Sequence, residues 1–170
     1  GRAGRTGPGR VLRLYSEEDL RLRPEHDAPE IVRSDLSQLC LALRVMGISH
    51  FQEVAWLDAP PAAAVESAEL LLDRLGATRE MAERLARYPL PPRLSRLLVE
   101  SMERGVGEDG CTVAARLGSG TRSDYVDLLS TIEGEQDDHS LHLMRQLRRL
   151  ARPAKQVRHD DDALLMSVLT

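Results

Sequence analysis

The sequence predicts a mainly α-helical protein. Beyond residue 16, apolar residues recur at intervals of three and four, the spacing of one helix face, through most of the 170-residue chain. Prolines and glycines interrupt this pattern at positions where helices commonly begin and end. The exception is the segment 11–16, whose short apolar run is typical of a strand. We therefore expect several packed helices preceded by one short strand.

The first two predicted helices are defined by the residues at their ends. Ser16 can cap a short helix over 17–22 with its hydroxyl group. Pro29 suits the first turn of a longer helix that runs to Met46 and is closed by Gly47. The residues expected on the inner face of this longer helix are Val32, Leu36, Leu39, Cys40 and Leu43.

Two further helices are expected before a proline-rich interruption. Asp58 can cap the first of them, with the prolines at 60–61 in its first turn and Gly76 just past its end. A short helix over 79–87 follows. Because the prolines beyond it cannot continue a helix, we place a domain boundary after residue 88.

The second half of the chain is also predicted to be helical. Pro153 is expected to kink or restart the helix in which it lies. The elements expected in order are a helix over 93–104, a glycine turn over 105–110, a helix over 111–117, a helix over 123–132 capped by Ser123, a helix over 139–158, and a final helix started by the aspartates at 160–162.

The first five residues, Gly-Arg-Ala-Gly-Arg, combine two arginines with two glycines. Arg2 and Arg5 each carry a planar fork of donors that fits phosphate oxygens. Gly1 and Gly4 precede them, and glycine lets the backbone come close to a ligand. This pattern suits two guanidinium groups that converge on one polyanion.

Four segments, in the right order, resemble motifs of one protein family. Residues 1–5 (GRAGR) are similar to the end of the motif that closes the second RecA-like domain of DEAH-box helicases. Residues 29–36 (PEIVRSDL), 56–61 (WLDAPP) and 88–94 (YPLPPRL) resemble signatures of the C-terminal region of the same family. Among its members, the bacterial HrpB type is the closest fit to these motifs.

The resemblance implies a domain organisation within a longer protein. Residues 1–16 would end the second RecA-like domain, 17–88 would form a winged-helix-like domain, and 89–170 would form a ratchet-like helical bundle, incomplete at its C-terminal end. The family's hairpin wing is expected to be short or absent, since few residues separate Ala77 from the next helical pattern. The chain would be a C-terminal accessory fragment of an ATP-dependent helicase, in contact with that protein's own RecA-like domains.

The resemblance also implies roles for the N-terminal residues. Arg2 and Arg5 would act as arginine fingers on ATP and Mg²⁺ in the longer protein, with Gly1 and Gly4 beside the nucleotide. The sequence contains no GxxxxGK[ST] loop and no DExH motif, and its sole lysine, Lys155, follows an alanine. We therefore expect the chain alone to be catalytically inactive and to bind no cofactor.

A basic stripe is expected on the helix over 139–158. Its arginines lie at positions i, i+3, i+4 and i+7 and are Arg145, Arg148, Arg149 and Arg152, with Lys155 continuing the series. The opposite face is expected to carry Leu143, Leu147, Leu150, Ala154 and Val157. Such a stripe is either a solvated helix face or a track for a phosphate backbone. The resemblance favours contact with single-stranded nucleic acid, with RNA preferred.

Composition and isolated residues narrow the other possibilities. A net charge of −4 argues against a chain that binds nucleic acid over its whole surface. No apolar run is long enough for a membrane span, and we expect a cytoplasmic protein with reduced cysteines. His139 and His142 lie one helical turn apart but in acidic, exposed surroundings, so no metal site is predicted. Trp56 is expected to be a core anchor rather than a base-stacking residue.

The alternative hypothesis is a free-standing helix-turn-helix regulator or a helical adaptor protein. A regulator needs a basic recognition helix for the major groove. The helix expected over 60–75 would fill that position, but Arg74 is its only basic residue, against Glu66, Glu69 and Asp73. The charge of this helix therefore argues against the regulator.

Overall fold

The computed structural model describes residues 4–24, 26–48, 50–119, 137–153 and 160–169. Within these residues the chain is mainly helical, as the sequence predicts. The elements are α1 (Glu17–Leu22), α2 (Glu30–Arg33), α3 (Ser37–Met46), a 3₁₀ turn (Phe51–Glu53), α4 (Ala62–Arg74), α5 (Arg79–Leu85), α6 (Pro92–Glu103), α7 (Gly107–Gly118), α8 (Asp138–Ala151) and α9 (Asp161–Leu169).

The strand expected over 11–16 is absent, and that prediction was wrong. The segment is irregular, and Val11, Leu12 and Leu14 are 74%, 85% and 91% exposed. A strand needs a neighbour that pairs with its backbone amides and carbonyls. Within the described ranges no residue is in a strand, so this segment has no such neighbour.

Helix ends that depend on local side chains lie where they were predicted. The hydroxyl of Ser16 accepts a hydrogen bond of 3.0 Å from the amide of Asp19 and caps α1. Gly47 ends α3 in a left-handed conformation with φ of +79°. Gly76 follows the end of α4 with φ of +61°. Asp58, in contrast, does not cap α4, because that helix begins only at Ala62, after both prolines.

The single helix expected over 29–46 is two helices, α2 and α3. The amide of Ser37 donates a hydrogen bond of 2.7 Å to the side chain of Asp35. An aspartate bonded to the amide two residues ahead competes with the helical backbone, and this explains the break. Val32 on α2 is exposed, whereas the predicted inner residues Leu36, Cys40 and Leu43 are buried.

The glycines expected to form a turn over 105–110 lie largely inside α7, which begins at Gly107. A Cβ atom at Gly110 would overlap the side chain of Ser101 on α6, and one at Gly107 would overlap Met102. These glycines therefore allow the close approach of two helices, and only Gly105, with φ of +79°, makes the turn.

The helix expected over 139–158 ends earlier, at Ala151. Arg152 follows in a left-handed conformation with φ of +48°, and Pro153 comes next. The residue before a proline is disfavoured in the helical region, so the helix stops here rather than bending. The helix predicted over 123–132 and the residues 154–159 lie outside the described part of the chain.

Two groups of buried apolar residues form the core. The first is built mainly from α3, α4 and α5, with Leu72 and Leu85 at its centre, and it also contains Val99 of α6. The second is built from α6, α7, α8 and α9, around Leu98 and Leu147. Helix α6 therefore contributes to both groups, and Tyr88 packs against both.

Both cysteines lie in this core as free thiols. Burial raises the pKa of Cys40 to about 12 and that of Cys111 to about 11. Both therefore stay protonated near neutral pH, which argues against a role as nucleophile or metal ligand.

Candidate nucleic-acid interface

Helix α8 presents the basic stripe, and its own sequence explains why it folds. Asp137 caps it, because its carboxylate accepts 2.8 Å and 2.7 Å hydrogen bonds from the amide and hydroxyl of Ser140. These bonds lower the pKa of Asp137. Met144 and Leu147 are buried where α8 packs on α7. The packed face of the helix thereby turns its arginines toward solvent.

The four arginines of the stripe are all exposed. Arg145, Arg148 and Arg149 lie on α8 itself, while Arg152 occupies the C-cap position beyond its last turn. In the described part of the chain, none of the four forms an ion pair with a carboxylate. Lys155 lies outside the described residues. The structure therefore exposes three arginines on α8 and a fourth just beyond its end.

The opposite face of α8 agrees only in part with the expectation. Leu147 is fully buried and Leu143 half-buried, as predicted. Leu150 is 49% exposed, so its assignment to the packed face was wrong. It lies in the last turn, next to Ala151, where the helix ends. Ala154 and Val157 are outside the described residues.

The N-terminal arginines are only partly described. Gly1 and Arg2 lie outside the described residues, and Arg5 is exposed. Gly4 has φ of +85°, a left-handed conformation that favours glycine. The predicted proximity of Arg2 and Arg5 to one ligand stays a prediction.

The sequence lacks the motifs that hold ATP and magnesium in proteins with a phosphate-binding loop. It has no phosphate-binding loop with its lysine and no acidic magnesium motif. Among the residues that the structure describes, no group of three or more His, Cys, Asp and Glu side chains could hold a metal ion. A nucleotide that met Arg5 would need its phosphates and metal to be held by other domains.

The side chain of Trp56 contacts a residue of its own segment, Phe51. Its indole N–H donates a hydrogen bond of 2.8 Å to the carbonyl of Phe51. The two rings stack with centroids 5.2 Å apart and planes 17° from parallel. Phe51 packs against the first core group, but half-buried Trp56 belongs to neither group of the described residues, so it does not anchor the core as the sequence predicted.

Arg44 joins α3 to α4 through a set of contacts, here called the clamp, that the sequence did not predict. Arg44 of α3 binds Glu69, bonds Asp73 at 2.8 Å, and donates a 3.0 Å hydrogen bond to the carbonyl of Ala77. Burial opposes the charge of Arg44, but the hydrogen bonds to both carboxylates outweigh it and raise its pKa. The partners are 25 to 33 residues away, so no local pattern signals the clamp.

Helix α4 presents an acidic rather than a basic surface. Glu66 and Asp73 are exposed, and Glu69 is half-buried against Arg44. A major-groove recognition helix needs the opposite charge. The exposed acidic residues of α4 therefore argue against a helix-turn-helix regulator, as the charge of this segment in the sequence did. In addition, no helix of the described ranges has the length and apolar character to cross a lipid bilayer.

Comparisons with known proteins agree with the motifs. No protein-family model matches the chain. It is 38% identical over 125 residues to the pre-mRNA-splicing factor ATP-dependent RNA helicase prp22 of Schizosaccharomyces pombe. This match covers 69% of the chain and 11% of that protein. It is 31% identical over 128 residues to the ATP-dependent RNA helicase HrpA of Escherichia coli K12, with 69% and 10% covered.

Solved structures show the same relationship over nearly the whole chain. The Escherichia coli DEAH/RHA helicase HrpB has a TM-score of 0.73 at 26% identity, which covers 97% of this chain and 22% of that one. A structure of the Escherichia coli DExH-box NTPase HrpB has a TM-score of 0.70 and covers 97% and 21%. The chain is therefore homologous to a segment of the DEAH-box helicases, as its motifs predicted. It spans about a tenth of the length of the relatives prp22 and HrpA.

Proposed function

We propose that the chain is a C-terminal accessory part of an ATP-dependent RNA helicase. The chain is similar to the RNA helicases prp22 and HrpA, and its motifs resemble those of the C-terminal region of the family. Residues 17–88 would form the winged-helix-like part and 89–170 the ratchet-like part. The parent protein would supply the RecA-like domains that bind ATP and Mg²⁺, and we expect it to act in the cytoplasm.

The exposed basic stripe of α8 carries the proposed contact with single-stranded RNA. Arg145, Arg148 and Arg149 are held on a packed helix and lack a carboxylate partner in the described residues. Guanidinium groups that are not neutralised by the protein can bind phosphates and release the counterions of the nucleic acid. A fixed row of such groups would follow a phosphate backbone independently of base sequence.

The stripe can be tested by a triple substitution in the full chain. Arg145→Gln, Arg148→Gln and Arg149→Gln should weaken the binding of a single-stranded RNA oligonucleotide. The slope of the logarithm of affinity against the logarithm of salt concentration should fall by roughly 0.7 for each phosphate that the variant no longer binds. The measurement is fluorescence anisotropy at several salt concentrations.

A control with the same charge change separates the stripe from net charge. Arg21→Gln, Arg79→Gln and Arg87→Gln remove three exposed arginines from α1, α5 and the turn after α5. This variant should keep most of the affinity and slope. Equal losses in both variants, or no RNA binding by the unmodified chain, would show that the stripe is only a solvated helix face.

The N-terminal arginines are proposed to act in the parent protein. An arginine finger stabilises charge that develops during phosphoryl transfer, a contribution of about 10³–10⁵ in rate. Arg5→Ala in the parent should therefore lower kcat far more than nucleotide affinity, and Arg2→Ala should act in the same direction. Steady-state ATPase kinetics with an unchanged kcat would contradict this assignment.

A further inference from the structure

A second group of arginines lines a cleft between α4, α6 and α9. The cleft has a volume of about 270 Å³. Its walls are leucines of α4 and α6 together with the last turn of α9 at 167–169. Arg74 at the end of α4, and Arg93 and Arg96 on α6, complete the lining. Three arginines from two helices thus line one space.

The charges in this cleft are incompletely neutralised. Arg74 and Arg93 are exposed, and neither forms an ion pair within the described residues. The side chain of Arg96 is only 15% exposed and binds Glu100 at 2.6 Å. Its Nε–H is buried and has no hydrogen-bond acceptor in the described structure. Arg74 and Arg93 are therefore available to bind an anion, and Arg96 has one N–H without an acceptor in the described structure.

The acidic groups nearest in the sequence have other partners. Glu69 and Asp73, the acids of α4 that precede Arg74, are bound by Arg44. Glu100 is shared by Arg96 and, at 3.3 Å, by Arg104. These carboxylates are therefore already paired with other arginines.

A neighbouring cavity extends the same surface. It has a volume of about 290 Å³, and Arg93 lines both spaces. The one acidic side chain in its lining, Asp35, accepts the amide hydrogen bond of Ser37 and does not form an ion pair with Arg93 in the described structure. Arg93 therefore stands between two adjoining spaces without an anionic partner.

We propose that this cleft binds a phosphate group. The planar donors of arginine match the oxygens of phosphate. None of the described residues that line the cleft is aromatic, so they offer a contact to phosphate and no stacking surface for a base. The site uses none of the arginines of the α8 stripe.

The phosphate has two possible sources, a nucleic-acid backbone or a small free phosphate. The first source rests on the RNA-binding function proposed above and adds a second contact to it. The second source does not depend on that function. Both share the same recognition chemistry, and two titrations of the full chain distinguish them.

The test is the double variant Arg74→Gln, Arg93→Gln, which removes both available charges and leaves the Arg96–Glu100 pair intact. Arg79→Gln with Arg87→Gln, two exposed arginines outside the cleft, is the control with the same charge change. Since all four side chains are exposed, we expect both variants to fold, which circular dichroism checks.

One titration adds inorganic phosphate and follows the amide resonances of 93–97 and 167–169 by NMR. The other adds single-stranded RNA without terminal phosphates at several salt concentrations.

Either of two results supports the site. Phosphate-dependent shifts that vanish only in the cleft variant indicate a free phosphate ligand. A salt slope that falls by about 1.4 only in the cleft variant indicates two backbone contacts. The proposal is overturned if the cleft variant equals the control in both titrations. If only the stripe variant loses RNA binding, the cleft proposal fails and the proposed function stands. If only the cleft variant loses RNA binding, the cleft proposal stands and the stripe is a solvated helix face.

Discussion

At the scale of single residues, Gly110 shows how one missing side chain sets the distance between two helices. It lies in the first turns of α7, where this helix packs against α6. The side chain of Ser101 occupies the space that a Cβ atom of Gly110 would need. Ser101 is buried and donates a 2.8 Å hydrogen bond to the carbonyl of Leu97, so it has little freedom to move.

We expect Gly110→Ala to destabilise the protein by about 1–3 kcal/mol, the usual cost of overpacking a well-packed core. The measurement is the free energy of unfolding from urea titrations of both proteins. Gly118→Ala in the same helix is the control. Its added Cβ would meet the side-chain ends of Leu90, Leu143 and Leu94, at 3.3, 3.4 and 3.6 Å. Equal stability of the two variants would mean that the α6–α7 distance can adjust.

At the scale of the elements, the clamp formed by Arg44 joins α3 to α4 and to the segment after α4. One guanidinium group bonds two carboxylates and one backbone carbonyl. The side chain is 23% exposed, so these bonds are partly shielded from water. Removing the arginine would leave Glu69 and the Ala77 carbonyl without these bonds.

The substitution Arg44→Met keeps most of the aliphatic length and removes the charge. We expect it to cost about 1.5–3 kcal/mol of stability, the range for hydrogen bonds to charged groups. Arg79→Met removes the exposed ion pair with Glu83 and should cost no more than about 0.5 kcal/mol. Thermal unfolding of the two variants compares these costs. Similar melting temperatures would refute the role of the clamp.

At the scale of the whole molecule, α6 connects the two buried groups. Val99 packs with α3, α4 and α5, while Leu98, the adjacent residue, packs with α7 and α8. The boundary predicted after residue 88 therefore separates the first group from one of its own buried side chains. Whether 17–88 and 89–170 act as separate domains stays a prediction.

We expect a piece spanning 17–88 to unfold at lower temperature than a piece spanning 17–104. The longer piece retains α6 and thus Val99, whose burial completes the first core. Circular dichroism melts of both pieces measure the difference. The longer piece with Val99→Asn is the control, since it keeps the length but replaces the apolar side chain. A stable 17–88 piece with a melting temperature equal to the longer one would contradict the shared core.

The sequence by itself determined the features that depend on neighbouring residues. The helical class, the cap at Ser16 and the helix ends at Gly47 and Gly76 follow from side chains and backbone preferences within a few residues. The basic stripe of α8 also follows from spacing, because a helix places residues three and four apart on one face. The family resemblance likewise rested on short motifs, and the homologues confirm it.

Only the tertiary structure decided the features that depend on distant residues. The segment 11–16 has the pattern of a strand but no partner to pair with in the described ranges, and Gly110 serves packing rather than a turn. The clamp at Arg44 and the cleft of Arg74 and Arg93 join side chains from different helices. The physical reason is that pairing, close packing and charge neutralisation act through space, so a residue's role depends on which distant groups the fold brings beside it.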